Sequence, residues 1–240
     1  GVDIVSPTAD LSTYKLVVAP MLYIVEETLA AKLHDYVSKG GTLVLTCRTG
    51  VMDVDNMVVN QQLPGLLGEL CGVVVDEYDS LEDGRRVPLQ WAGDLEDVAG
   101  AGTAWADVLS LREAEALAYY AGEYYAGVPA VTRNRVGDGQ VIYAGTVPDA
   151  AFAQGLMAHL ASEAGVTSPL EAEPGVEVVE RVAEQARYLF ILNGGSDATS
   201  VDVGSGGHEF VQDETVSGVI QIPALGVRII EQPLRTAAID

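Results

Sequence analysis

The 240-residue sequence is poor in several things, and each shortage excludes a class of function. It has two cysteines, Cys47 and Cys71, too few for a disulfide framework or a four-cysteine zinc site. Both lie in apolar surroundings and read as small buried hydrophobes, a usage that suits a reducing cytoplasm. The three histidines, His34, His159 and His208, stand far apart with no ligand-type spacing, so no metal and no cofactor are expected. No run of about 18 uncharged apolar residues exists, hence no membrane-spanning helix is expected. Nor is there a basic-then-apolar opening of the signal-peptide kind after Gly1. Neither a GxGxxG nor a GxxxxGK[ST] phosphate loop is found. Basic residues are scarce: 13 against 35 acidic ones, a net charge of −22. The excess is spread through the chain, −14 over residues 1–168 and −8 over residues 169–240, so it is not an acidic tail. So negative a surface repels phosphate backbones and anionic lipid, and neither nucleic acid nor membrane is expected as a partner. Its plain meaning is solubility, or adaptation to a salty or acidic habitat; neutral sugars are not excluded.

What is present is apolar material, 48% of the chain, enough for a packed core. The first part alternates strand and helix signals. Val2–Val5 and Leu16–Ala19 read as strands stopped by Pro7 and Pro20. Glu26–Ser38 reads as a helix with Leu29, Leu33, Tyr36 and Val37 on one face and Gly40-Gly41 at its end. Thr42–Thr46 is a buried strand. Gln61–Leu70 reads as a helix opening near Pro64 and ended by Gly72. Val73–Val75 and Val87–Leu89 are short strand candidates, and Val108–Ala116 is ambiguous. Ala130–Arg135 and Gln140–Tyr143 form a hairpin. Ala150–Ala164 is a second clear helix. This alternation predicts an α/β domain over residues 1–168, built on a parallel sheet covered by helices. After a polar connector at Thr167–Pro174 the texture changes to short strands punctuated by Asn193-Gly194-Gly195 and Ser205-Gly206-Gly207. Residues 169–240 therefore read as a small antiparallel β-sandwich.

Chemistry is sparse. Cys47, at the end of a strand and shortly before Gly50, sits where an α/β fold places a nucleophile. The segment Val141–Asp149 resembles the strand followed by His-Pro-Glu of class I glutamine amidotransferases. Val147 stands where the histidine would be and Asp149 where the glutamate would be. Valine cannot accept a proton, so the triad fails at its base. With 35 acidic residues, carboxylate pairs arise by chance, and the eight βα units of a glycosidase barrel are absent from the pattern. An amidotransferase-like enzyme or small-molecule-binding domain using the Cys47 loop stays as the alternative. A carbohydrate-binding module built on Tyr188, Phe190 and Phe210 is a thinner one.

The strongest signals are whole phrases. Asp10–Pro20, Gly40–Gly50 with Asp53 and Asn56, Pro64-Gly65-Leu66 through Gly72-Val73 and Glu77-Tyr78-Asp79, Gly127–Asn134, Gly137–Gly145, and Gly175–Arg181 with Tyr188–Asn193 follow one another. In that order they resemble the later part of family 42 β-galactosidases. The resemblance implies a flavodoxin-like or class I glutamine amidotransferase-like trimerisation domain followed by a small β-domain. The catalytic (β/α)₈ barrel and both catalytic glutamates would lie in an N-terminal part, and this domain's own first strand and helix would precede Gly1. No catalytic residue is carried over. The function implied is the non-catalytic oligomerisation and scaffold portion of a retaining enzyme that hydrolyses terminal β-D-galactosides. Its partners would be a homotrimer and the N-terminal barrel, in the cytoplasm. Interface or substrate-wall candidates are Arg48, expected to pair with Asp53 or Asp55, together with Asp53, Asn56, Tyr124 and Tyr125. The last two belong to an aromatic group with Tyr119 and Tyr120.

Overall fold

The computed structural model describes residues 1–92 and 100–234. They divide into two compact units, residues 5–166 and residues 167 onward joined by residues 1–4.

In the first unit the elements run β1 (Leu16–Ala19), α1 (Glu27–Ser38), β2 (Thr42–Thr46), a 3₁₀ turn (Gly65–Leu67), a single helical turn α2 (Gly68–Cys71), β3 (Val73–Ser80), β4 (Arg86–Trp91), β5 (Ala101–Leu111), β6 (Glu115–Tyr120), β7 (Pro129–Val136), β8 (Gly139–Ala144), β9 (Thr146–Pro148) and α3 (Ala150–Glu163). They build one sheet in the order β1-β2-β8-β7-β6-β4-β5-β3, with β9 paired to β5. Only β1, β2 and β8 are mutually parallel. All the other pairs are antiparallel. The expected parallel sheet is thus a mixed one. The reason lies in the connections: a parallel pair needs a long crossover, whereas β6, β7 and β8 are joined by a short loop and a tight turn. β4 already shows the antiparallel signature, its residues alternating exposed and buried from Arg86 to Trp91. The ambiguous stretch at 108–116 is the end of an eleven-residue strand and the start of the next.

Strict alternation divides the core between the two faces of the sheet. Leu43, Leu45, Val141 and Tyr143 point to the side where α1 packs Leu33, Tyr36 and Val37. Val44, Ile142 and Ala144 point to the side where α3 packs Phe152, Leu156 and Leu160. α1 ends as expected, with Gly40 at φ +103°. Gly41 adds what the sequence did not show: the Tyr36 ring lies flat on it, 2.3 Å from where a Cβ would stand. α3 starts at Asp149, whose carboxylate accepts the Phe152 amide at 2.8 Å. The helix expected over residues 61–70 shrinks to the 3₁₀ turn and α2, because Gly65 at φ +62° and Gly68 interrupt it; Gly72 ends it in the left-handed region.

The second unit contains β10 (Val176–Val182), β11 (Ala186–Asn193), β12 (Thr199–Asp202), β13 (Gly207–Glu209), β14 (Glu214–Val216), β15 (Val219–Ile222) and β16 (Val227–Pro233). A five-stranded antiparallel sheet β10-β11-β16-β13-β14 and a two-stranded β12-β15 ribbon enclose Leu189, Ile191, Val201, Ile222 and Ile230. Val2–Val5, expected to be a strand, is irregular here. Val2 and Ile4 are exposed and no described strand pairs with them, while Asp3 lies 3.7 Å from Arg181.

One buried carboxylate fixes the turn after β13. Glu209 accepts the backbone amides of Val211 at 3.0 Å, Gln212 at 2.8 Å and Ile229 at 3.2 Å. Burial pushes its carboxyl up, but these three amides outweigh that and hold it below the ordinary value of 4.5. A depressed folded value means stability fully present above pH 4.5 and lost as pH falls through the folded value. Glu209→Ala strands three donors and should destabilise this unit by about 3 kcal/mol. Native-state hydrogen exchange at Val211, Gln212 and Ile229 checks this; unchanged protection would refute it.

Candidate functional site

One cluster of side chains lies beside the loops after β1 and β2, at the carboxyl end of the parallel strands. In open α/β sheets that end is where ligands and partners are met. A cleft of about 230 Å³ there is lined by Tyr23, Arg48, Thr49, Val51, Val58, Leu63, Val75, Tyr78, Trp105, Asp107 and Tyr143. Arg48 is its centre. Its backbone is left-handed, φ +62°, so the chain turns sharply out of β2. Its guanidinium lies over the Trp105 ring, 4.6 Å from the centroid, and over Tyr23 at 5.0 Å. Its Nη2 donates to the Tyr23 hydroxyl at 3.0 Å. Tyr78 stacks on Trp105 at 4.6 Å. Four planar groups, Tyr23, Arg48, Trp105 and Tyr78, are thereby linked by ring contacts.

Asp107 closes the base of the cleft. It is buried and accepts from Trp105 Nε1 and from the Tyr143 hydroxyl, both at 2.8 Å. Burial holds its carboxyl above the ordinary value of 3.8, against the opposing pull of Trp105, Tyr143, the Arg48 backbone amide and the charge of the Arg48 guanidinium. Sequence reading missed Asp107, Trp105, Tyr78 and Tyr23. The one local signal was Trp105-Ala106-Asp107, an i, i+2 pair on one face of a strand, which says nothing without its neighbours.

Arg48 forms no ion pair with Asp53 or Asp55, contrary to expectation. Stacking on two rings takes its head inward, and Asp53 is occupied with its own turn. Asp53 Oδ1 accepts the Asp55 amide at 3.0 Å and the Met57 amide at 2.9 Å. Asn56 completes that turn at φ +60°, a conformation asparagine tolerates. The turn holds Val54 and Met57 out into solvent, 63% and 64% exposed. Tyr124 and Tyr125 lie elsewhere. The Tyr124 hydroxyl donates to Glu77, and that of Tyr125 to Asp79 at 3.1 Å. Glu77 and Asp79 flank Tyr78 on β3, so these tyrosines are on the other face of that strand from the cleft. Tyr125 is buried, edge-on to Tyr120 and Tyr124 at 4.9 Å each, while Tyr124 is exposed. In the second unit Tyr188 and Phe210 stack loosely at 6.3 Å, with His208 against Phe210 at 4.8 Å.

The nucleophile reading of Cys47 fails. The thiol is fully buried, and burial, with Asp107 nearby, pushes it up to about 12. Asp149, where the amidotransferase glutamate would stand, caps α3 and pairs with Arg86. In native buffer near pH 7.5 Cys47 and Cys71 should resist thiol reagents, and both should label within minutes in urea. Fast labelling of the folded chain would reopen the enzymatic alternative. Among the described residues, no group of three His, Cys, Asp or Glu side chains could hold a metal ion. No described helix is long and apolar enough to cross a membrane.

Two family models match in succession: "Beta-galactosidase trimerisation domain" over residues 1–167 and "Beta-galactosidase C-terminal domain" over residues 175–232. Among curated proteins, β-galactosidase BglY of Alicyclobacillus acidocaldarius is 37% identical over 239 residues, 97% of this chain but 35% of that protein. β-Galactosidase BgaA of a Planococcus species is 34% identical, over 95% of this chain and 34% of its own length. Among solved structures, β-galactosidase from Bacillus circulans sp. alkalophilus superposes with a TM-score of 0.90 at 36% identity, covering 96% of this chain and 34% of that one. That from the haloarchaeon Halorubrum lacusprofundi gives 0.80 at 32% identity, over 97% and 33%. The chain thus spans about a third of the length of the relatives it matches.

Proposed function

The chain belongs to the family 42 β-galactosidases, and from that premise we propose that it is the oligomerisation and scaffold portion of an enzyme that hydrolyses terminal β-D-galactosides. The observation that carries this is the succession of the two domain matches across nearly the whole chain, with the remaining two thirds of each relative unmatched. In this reading residues 1–168 trimerise, and residues 169–240 form the small β-domain. The parallel trio β1, β2 and β8 with α1 is the flavodoxin-like part, and the catalytic barrel is a partner. The two buried, unpaired cysteines suit a cytoplasmic setting.

Each candidate side chain takes a role that its surroundings support. Arg48 belongs to a subunit contact. Asp53 and Asn56 shape the turn that presents Val54 and Met57. Tyr124, braced by Tyr125 and Glu77, is the exposed ring that could wall a neighbouring sugar cleft. Light scattering across a dilution series tests assembly: the expected mass is three times 25.2 kDa. A chromogenic β-galactoside tests the rest: this chain alone should not turn it over, and steady hydrolysis would overturn the non-catalytic reading.

A further inference from the structure

A pocket lies at the amino end of the parallel strands, and its floor is polar where the pattern calls for apolar side chains. Thr42 opens β2 and Gln140 stands second in β8; the two are register neighbours. Each lies two residues before a core-facing side chain, Val44 and Ile142, so both point to the side of the sheet that α3 covers. The row continues on either side, to Leu16 on β1, directly after Lys15, and to Arg135 on β7. The last turn of α3 brings Glu163 to the same place, where it pairs with Arg133 at 2.9 Å and lies 3.4 Å from His159. Lys15 ties the rim together by donating to the Gly165 carbonyl at 2.8 Å.

Gln140 is buried and only half satisfied. Its Nε2 donates to Thr42 Oγ1 at 3.4 Å and to Glu163 Oε2 at 3.3 Å, both long, while its Oε1 has no donor among the described residues. Arg133, buried and bound to the same carboxylate oxygen, leaves its Nε without an acceptor. Buried polar atoms are nearly always paired, so an acceptor and a donor left over on the two residues that share Glu163 require an account. The pocket measures about 330 Å³, within the roughly 300–1,000 Å³ of small-molecule sites and far beyond the roughly 30 Å³ of one water.

We propose that this pocket binds a neutral monosaccharide. A ligand there has to donate to Gln140 Oε1, which a small rotation of the amide turns outward because its present bonds are long. That requirement excludes a bare anion such as sulfate or a carboxylate, which has no donor, and a chain of net charge −22 repels one already at a distance. A cation finds no surplus of acid: Lys15 and Arg135 balance Asp138 and Glu163 on the lining, and Glu163 is already paired with Arg133. An apolar ligand would desolvate these groups without pairing any of them. A sugar hydroxyl both donates and accepts. A ring bearing several can therefore use Gln140 and Asp138 as acceptors and Lys15 and Arg135 as donors, with Thr42 serving as either. The chemistry comes from the pocket alone and stands whether or not the chain is a scaffold.

The test is calorimetric titration of the chain with D-galactose and with D-glucose, in wild type and in Lys15→Met, Arg135→Met and Gln140→Leu. Lys15 and Arg135 are exposed, so their variants report on the pocket even if Gln140→Leu disturbs its strand. Tyr188→Ala controls for the aromatic side chains of the second unit. One-to-one binding of at least one sugar in the millimolar range, kept in Tyr188→Ala, is the expected result. Each pocket variant should bind about tenfold more weakly, the loss of one good hydrogen bond. No saturable heat from either sugar would overturn the proposal. So would binding that all three pocket variants retain, or that only Tyr188→Ala removes, since the sugar then sits elsewhere. Sorbitol and sulfate decide the ligand class. Sorbitol binding as tightly as the sugars means that the pocket takes any polyol, and sulfate binding more tightly means that it takes an anion; either result sinks the monosaccharide site.

Discussion

Asp107→Ala should lower the stability of the first unit by about 3–5 kcal/mol, the largest single-residue loss expected near the cleft. The argument counts stranded donors. The Asp107 carboxylate takes the indole N–H of Trp105, the hydroxyl of Tyr143 and the backbone amide of Arg48. Removing it leaves these groups facing a void beneath a stack of rings, and each buried unsatisfied donor costs about 1–3 kcal/mol. Asp107→Asn should cost less, about 1–2 kcal/mol, since the amide oxygen keeps one donor and the Tyr143 hydroxyl can rotate to accept from the amide nitrogen. The acid dependence supplies a second check. Burial holds the carboxyl above 3.8, so the folded state takes up its proton more readily than the unfolded chain does. This contribution makes stability rise as pH falls from the folded value toward 3.8. Urea unfolding at pH 7 and near pH 4.5 should show wild type gaining on Asp107→Asn upon acidification. If the two curves stay parallel, Asp107 is not the buried acid that its surroundings imply.

Asp107 also shows what kind of feature a sequence conceals. α1 and α3 were legible because helical periodicity and a glycine beyond each end are local. β2 and the β7–β8 hairpin were legible because β-branched runs and a Gly-Asp turn are local too. The mixed sheet was not, since nothing within Val73–Val75 or 108–116 states which strand each will pair with. The site suffered in the same way. Arg48 stands out by its place after a strand, and the acids nearest to it along the chain are Asp53 and Asp55. The groups that govern it come from 25 residues before, Tyr23, and from β5 and β8 far along the chain. Pairing β3 with β5 decides the rest, since it sets Tyr78 opposite Asp107 and turns Glu77 and Asp79 to the other face with Tyr124 and Tyr125. Composition could not have separated those two groups of aromatics; a register does so at once.

Gly50→Ala is expected to cost roughly 3 kcal/mol or more, although it removes no interaction. Gly50 lies at φ +70°, where an L side chain is strained. Its neighbourhood adds a second penalty: a Cβ would stand 2.2 Å from the Pro64 carbonyl oxygen and 2.9 Å from its carbon. Backbone cannot step aside as a side-chain tip can. Gly65 is fixed reciprocally, its own Cβ position lying 2.7 Å from the Gly50 oxygen. Meanwhile the Gly50 amide donates to Leu22 at 2.9 Å. This one residue therefore ties together the loops after β1 and β2 and the segment at Pro64, the three pieces that set Tyr23, Arg48 and Leu63 around the cleft. Gly127→Ala isolates the first penalty, because Gly127 has φ +85° and nothing within 4 Å of its Cβ position. It should cost only about 1 kcal/mol, the difference between alanine and glycine in the left-handed region. Thermal melts of both variants decide the matter. A Gly50→Ala chain as stable as Gly127→Ala would mean that the loops can part, and that Arg48 is held by its rings alone.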